Sequence, residues 1–376
     1  MTPRPERFSL GDFLPIIEKK ISSQLISKAA FNNIKKHADM LPGQISSFFG
    51  FECVLDTPAT TADFLFCSTQ LQSHSKILTG LHKSIPMPAS LYQMPAWKIV
   101  QQFCIDWEDD SSPMFQQLYN IWLEFDIAQS TPPYVPSIFF GTLPPEKQDE
   151  SARRATILDA LKRLMPEATE GQRALTINTV FRHLPPNAYI FQVGVMLSRQ
   201  SPAIRLCLRN ISNDLIVETL IKIGWTGNVE ELSHLIQEIS PLCDRIDIDI
   251  DIGEQIGEKI GIECSFGRNP NTLNLMKNYT RWLVGKQLTT QEKASALVDF
   301  NGLIHQDAEP DIWPEFLLKM AALSGHDNAN HIAYWLHHIK LVYRSDQALS
   351  AKAYLAMSHD RLSRQTLREH IELLKK

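Results

Sequence analysis

The chain has 376 residues, 44% of them hydrophobic and 21% charged, with a formal net charge of −5. That balance sits inside the globular range, far from the low-hydrophobicity, high-charge corner where chains stay disordered. It also gives no global attraction to phosphate backbones or anionic headgroups, which disfavours a nucleic-acid-binding role.

In chain order, the region from about 1 to 45 reads as helical, with apolar residues at mixed three and four spacing until Pro42 and Gly43 stop the pattern. Its first residues carry Arg4, Glu6, Arg7 and Asp12 before any apolar stretch, unlike a signal peptide. No run approaches the roughly 20 apolar residues of a membrane span. Cys53, Cys67, Cys104, Cys207, Cys243 and Cys264 are scattered without a Cys-x-x-Cys pair and read as reduced core residues. These features describe a cytoplasmic protein, taken as a single domain over 1–376.

Five strand pairs follow between about 50 and 357. The first joins 51–55 to 64–67 around the turn-rich 56–60, and the second joins 101–108 to 119–127. The third joins 189–198 to 203–210 across Arg199, Gln200, Ser201 and Pro202; the fourth joins 245–252 to 259–266; the fifth joins 339–344 to 350–357. Helical periods occupy 151–165, 214–223, 229–239, 272–286, 290–303 and 314–323, and a charged helix is expected at about 363–376. The proline-bearing stretch 131–145, which contains an apolar run at 137–140, reads as a long loop. The fold class is therefore α+β, with about ten antiparallel strands in five helix-flanked hairpins.

Alternate residues of a strand face opposite ways. Ile204, Leu206 and Leu208 oppose Arg205, Cys207 and Arg209; Ile246, Ile248, Ile250 and Ile252 oppose Asp247, Asp249 and Asp251. Leu123, Phe125 and Ile127 oppose Trp122, Glu124 and Asp126, and the fifth pair sets Ile339, Leu341, Ala353 and Leu355 against Lys340, Arg344, Lys352 and Tyr354. A sheet with one apolar and one polar face can lie open, or close into a barrel with helices outside and a polar lumen.

That pattern resembles the ABBA-type aromatic prenyltransferases, and Lys352-Ala353-Tyr354 is similar to the Lys-x-Tyr pairs that line their barrels. The resemblance implies an isoprenoid diphosphate and an aromatic or peptide acceptor in the lumen. It places Arg205, Arg209, Lys340, Arg344, Lys352 and Tyr354 on the diphosphate, with Glu124 and Glu263 as the catalytic carboxyls. Cations neutralise a leaving diphosphate, and aromatic faces stabilise a carbocation. No cofactor is implied by a motif; Mg beside the diphosphate stays open, with no residue assigned to a metal.

Three carboxylates at alternate positions in Asp247-Ile248-Asp249-Ile250-Asp251 would repel one another unless relieved by cations such as Arg205 or Lys352 across a lumen, by a metal, or by water. Twelve positions on from Asp247 stands Glu258, as in a calcium loop, but the sixth position is Ile252 where that loop needs Gly. His337 and His338, near His326 and His331, read as surface residues, since neighbours on a strand face opposite ways. No nucleophile elbow, His-Glu-x-x-His helix or glycine-rich phosphate loop is present. Two functions remain open: a prenyltransferase of natural-product biosynthesis, or a non-catalytic protein that holds a peptide or small ligand and assists another biosynthetic enzyme. A groove rimmed by Trp107, Trp122 and Trp335 would favour the second.

Overall fold

A computed structural model describes residues 8–70, 74–128, 134–199, 203–267, 271–325 and 327–366. Residues 200–202 of the third turn, His326, and all but the start of the helix expected at 363–376 lie outside these described residues.

Among the described residues, eleven strands form one antiparallel sheet: β1 (Phe48–Val54), β2 (Ala62–Ser68), β3 (Leu118–Phe125), β4 (Ser137–Thr142), β5 (Tyr189–Val195), β6 (Ile204–Arg209), β7 (Arg245–Ile252), β8 (Ile256–Ser265), β9 (Asn301–His305), β10 (Asn328–Tyr343) and β11 (Ser350–Ser363). Strands β1 to β8 pair in sequence, β8 pairs with β10, and β11 bridges β10 back to β1. The ten strands thus close into a barrel without a free edge, which removes the exposed ladder that would template aggregation. Strand β9 lies outside the ring, on the first part of β10.

Helices cover the outside: α1 (Leu14–Glu18), α2 (Lys28–Ala38), α3 (His74–Leu78), α4 (Pro95–Glu108), α5 (Glu150–Leu164), α6 (Gly171–His183), α7 (Ile216–Lys222), α8 (Val229–Ile239), α9 (Thr272–Gly285), α10 (Gln291–Asp299) and α11 (Glu315–Ser324). They bury the apolar face of the strands. Trp97 and Phe103 of α4 stack on Phe125 and Phe140 of the barrel, with ring centroids 6.0 and 5.9 Å apart. The four isoleucines of β7 are all buried, each contributing about 1.5–3 kcal/mol relative to an exposed position. No helix among the described residues is long and apolar enough to cross a membrane.

Three sequence expectations are corrected. Residues 101–108 belong to helix α4, in which Trp97, Val100, Phe103, Cys104 and Trp107 are buried at helical spacing, and Pro95 opens the first turn. The partner of β3 is instead β4, the apolar run read as part of a loop. The helix placed over 290–303 stops at Asp299, because β10 is 16 residues long and its first part takes β9 as a partner.

Candidate active site in the barrel lumen

The inward faces enclose a cavity of about 480 Å³. Its walls mix aromatic rings, among them Phe48, Trp122, Phe139 and Tyr354, with Glu124, Arg205, Arg209, Asp249, Glu263 and Lys340. The alternation of apolar and charged residues in β6 and β7 makes this possible, since the isoleucine and leucine positions go to the helices and the ionic ones inward.

The ionic residues form a ladder. Arg205 Nε donates to Asp251 Oδ1 at 2.8 Å, and Lys259 reaches the same carboxylate at 2.7 Å. Burial alone would raise Asp251, but Arg205 and Lys259 bring it down to about 2. Arg209 Nη2 lies 2.7 Å from Asp247 Oδ2, with its guanidinium carbon 3.7 Å from the Phe191 ring centroid. Arg245 joins the same Asp247 at 3.0 Å. Lys340 bonds Asp249 and stands 3.5 Å from Glu263 Oε1. Burial opposes ionisation of both Lys340 and Asp249; their mutual attraction overrides it, lowering the Asp249 pKa and raising that of Lys340.

Lys340 crosses from β10 over β8 to reach β7, and Gly261 of β8 lies under its path. A Cβ there would stand 2.7 Å from Lys340 Cε and 2.9 Å from the Asp249 Cβ. On the next strand, where Lys352 pairs in register with Lys340, Lys352 and Tyr354 of β11 both bond Glu52 of β1. Burial alone would raise Glu52, yet the Lys352 charge and the two hydrogen bonds lower it.

Two carboxyls behave differently. Glu124 is pushed up to about 8 by burial and by the Glu52 charge. Glu263 is pushed up to about 8 by burial and by the Asp249 charge beside it. Near neutral pH both are mainly protonated and both face the cavity, so each can exchange a proton with a bound molecule.

The expected site residues divide accordingly. Glu124, Glu263, Arg205, Arg209, Lys340 and Tyr354 line the cavity. Lys352 lies behind Tyr354 on Glu52, outside the lining, and Arg344 sits 3.3 Å from Glu258 and 2.7 Å from Asp346, with its side chain 40% exposed. The aspartate strand takes Arg205 as its cation but not Lys352, which Glu52 claims.

His337 is exposed as expected, whereas the opposite-facing arrangement expected of it and His338 is not observed. A register shift between Leu336 and His338 turns both His337 and His338 toward the cavity, with their Nδ1 atoms 2.7 Å apart. A bulge defeats simple alternation in this way. His338 and His331 are buried, the former stacked on Tyr354 with centroids 4.1 Å apart. Trp107 is buried on the core-facing side of its own helix α4, so no groove among the described residues is rimmed by all three tryptophans; Trp335 stacks on Phe48 beside Trp122. Glu52 was not singled out from the sequence, although a lone glutamate between Phe51 and Cys53 in a phenylalanine-rich strand is a legible signal.

The donor set fits a Mg site poorly. Asp247, Asp249 and Asp251 each already hold a lysine or arginine, and no group of three His, Cys, Asp or Glu residues among those described could hold a metal.

No family model and no curated protein matches this sequence. Solved structures do. AnaPT from Neosartorya fischeri superposes with a TM-score of 0.52 at 11% identity, covering 93% of this chain and 91% of its own. The prenyltransferase PriB in its apo form gives 0.51 at 11% identity, covering 93% and 94%. This chain has the ABBA prenyltransferase fold. PriB in a binary complex with product diphosphate is also similar, at a TM-score of 0.50 and 12% identity. In this ABBA barrel the lumen described above is the space enclosed by the ten strands.

Proposed function

We propose that this ABBA barrel binds an allylic isoprenoid diphosphate and transfers the isoprenyl group to an aromatic or peptide acceptor in natural-product biosynthesis. The observation that carries the reading is the meeting, in one cavity, of cations, aromatic faces and two carboxyls with pKa values near 8. Arg205, Arg209, Arg245 and Lys340 offer positive charge to the diphosphate. The faces of Trp122, Phe139 and Tyr354 surround the allylic cation. The allylic C–O bond breaks as diphosphate leaves, a bond forms from the acceptor to the isoprenyl carbon, and the acceptor's proton passes to Glu124 or Glu263 in its ionised form. Lys352 acts through Glu52, holding the Tyr354 hydroxyl in place; Arg344 has no part in this scheme.

One observation favours the second reading, a non-catalytic barrel that holds a peptide or small ligand for another biosynthetic enzyme. Arg205, Arg209, Lys340 and Lys352 each already occupy a carboxylate, so diphosphate must compete with bonds in place. Calorimetric titration with dimethylallyl and geranyl diphosphate separates the two. Saturable binding that Arg209→Ala weakens roughly 10-fold, together with an isoprenylated product, supports the transferase. Absence of heat with either diphosphate moves the assignment to the binding protein.

A further inference from the structure

Among the described carboxyls around the lumen, one stands apart from the ion-pair ladder. Asp247, Asp249 and Asp251 carry Arg209, Lys340 and Arg205, Glu52 carries Lys352 and Tyr354, and Glu263 stands by Lys340. Asp63 accepts the Ala128 backbone N–H at 2.9 Å, and Asp126 accepts the Ser198 hydroxyl at 3.0 Å. Glu124 faces the same cavity and, among the described residues, makes neither a hydrogen bond nor an ion pair.

Its surroundings point to what is missing. Along β3 the next inward position is Trp122, paired across to Phe139 of β4, while Leu65 of β2 stands opposite Glu124 itself. A carboxyl with Leu65 and Ser137 as its cross-strand neighbours and an aromatic pair one inward position along is a seat for an organic cation, which gains both charge pairing and cation–π attraction there. The charged and titratable groups around it are Glu52 on β1, Asp63 on β2, Asp126 just past the end of β3, Arg205 on β6, Lys340 on β10, and Lys352 and Tyr354 on β11. Each of these already has a partner in the protein, so the cation that would complete the pattern must come with a ligand.

We infer that the acceptor carries a cationic side chain, a guanidinium or an alkylammonium, which pairs with Glu124 beside the Trp122 and Phe139 rings. This names the acceptor class of the proposed transferase, and rests on that reading only for the step that follows binding. Burial and the Glu52 charge keep Glu124 protonated near pH 7, so docking a cation expels its proton to the solvent.

The test is calorimetry on the full chain at pH 7 without any isoprenoid diphosphate, run in phosphate and in Tris. The probes are the N-acetyl amides of arginine and lysine, with those of citrulline and tryptophan as neutral comparators. Expected is binding of a cationic probe roughly 10-fold or more tighter than citrulline, with close to one proton released per molecule bound. Glu124→Gln should abolish both the preference and the proton release while leaving the far-ultraviolet circular dichroism and melting cooperativity intact. Equal affinity for arginine and citrulline amides, preference for tryptophan amide, binding without proton release, or no binding of either cationic probe overturns the inference. A cationic preference in a protein that ignores dimethylallyl diphosphate would sink the transferase reading and leave this seat standing; diphosphate binding without the preference would do the reverse.

Discussion

Replacing Lys340 with methionine removes the cation at the centre of the ladder while keeping its length and apolar stem. Lys340 is 6% and Asp249 2% exposed, so the change strands a buried carboxylate instead of trimming a surface pair. Breaking such a pair costs about 3–5 kcal/mol. With unfolding entropy of about 2.1 cal/mol/K per residue, the 376 residues give an entropy of about 0.8 kcal/mol/K, and the melting temperature falls by about 4–6 °C at pH 7. The pH dependence follows from the two shifts. Asp249 is held below its ordinary 3.8, so its contribution is present above that pH and is lost as pH falls through the folded-state value. Lys340 is held above its ordinary 10.5, so its share is present below that and is lost as pH rises through the higher folded value. Scanning calorimetry should therefore show the full gap across neutral pH and a narrowing gap below about pH 4. The double variant Lys340→Met with Asp249→Asn should recover much of the loss. A shift under about 1 °C at pH 7, or a gap that ignores pH, would refute the reasoning.

Glu124→Gln should stabilise the protein in alkali. The folded-state pKa is raised from 4.5 to about 8, so ionisation opposes folding increasingly across that interval; denaturant melts should show no gain near pH 4 and about 1–4 kcal/mol at pH 8. Gly261→Ala should cost about 1–3 kcal/mol, read in the same melts, because the new methyl crowds Lys340 Cε and Asp249 Cβ. Lys293→Met should speed hydrogen exchange in the segment 54–60 and destabilise the fold by about 2 kcal/mol or more, since its ammonium donates to the carbonyls of Val54, Thr57 and Ala59 at 2.7–2.9 Å. If Glu124 or Glu263 accepts the proton in isoprenyl transfer, turnover should rise with pH up to about 8 and then level; a flat profile from pH 6 to 9 would argue against both.

Much of the lumen was legible because strand alternation is a local property. Arg205, Arg209, Asp247 and Asp249 could be assigned to one face from β6 and β7 alone, and Glu124 from β3. What escaped depended on distant contacts. The bond between Glu52 and Lys352 spans 300 positions and exists only because β11 closes against β1. The inward turn of both His337 and His338 needs the register shift opposite β11, which nothing in their own strand announces. Residues 101–108 misled because a short apolar run has no decisive period until Trp97 and Val100 are counted with it. Strand β9 is five residues long and owes its conformation to β10.

The arginine and aspartate positions of β6 and β7 also govern how the barrel can assemble. A slip of one residue would carry Arg205 and Arg209 into the isoleucine layer. Sliding by two in one direction sets Arg209 against Arg245, and in the other sets Arg205 against Gly253, with no carboxylate to meet it. Only the observed alignment seats both guanidinium groups at once, so the same residues that furnish the lumen proofread the pairing of the two strands that form its wall.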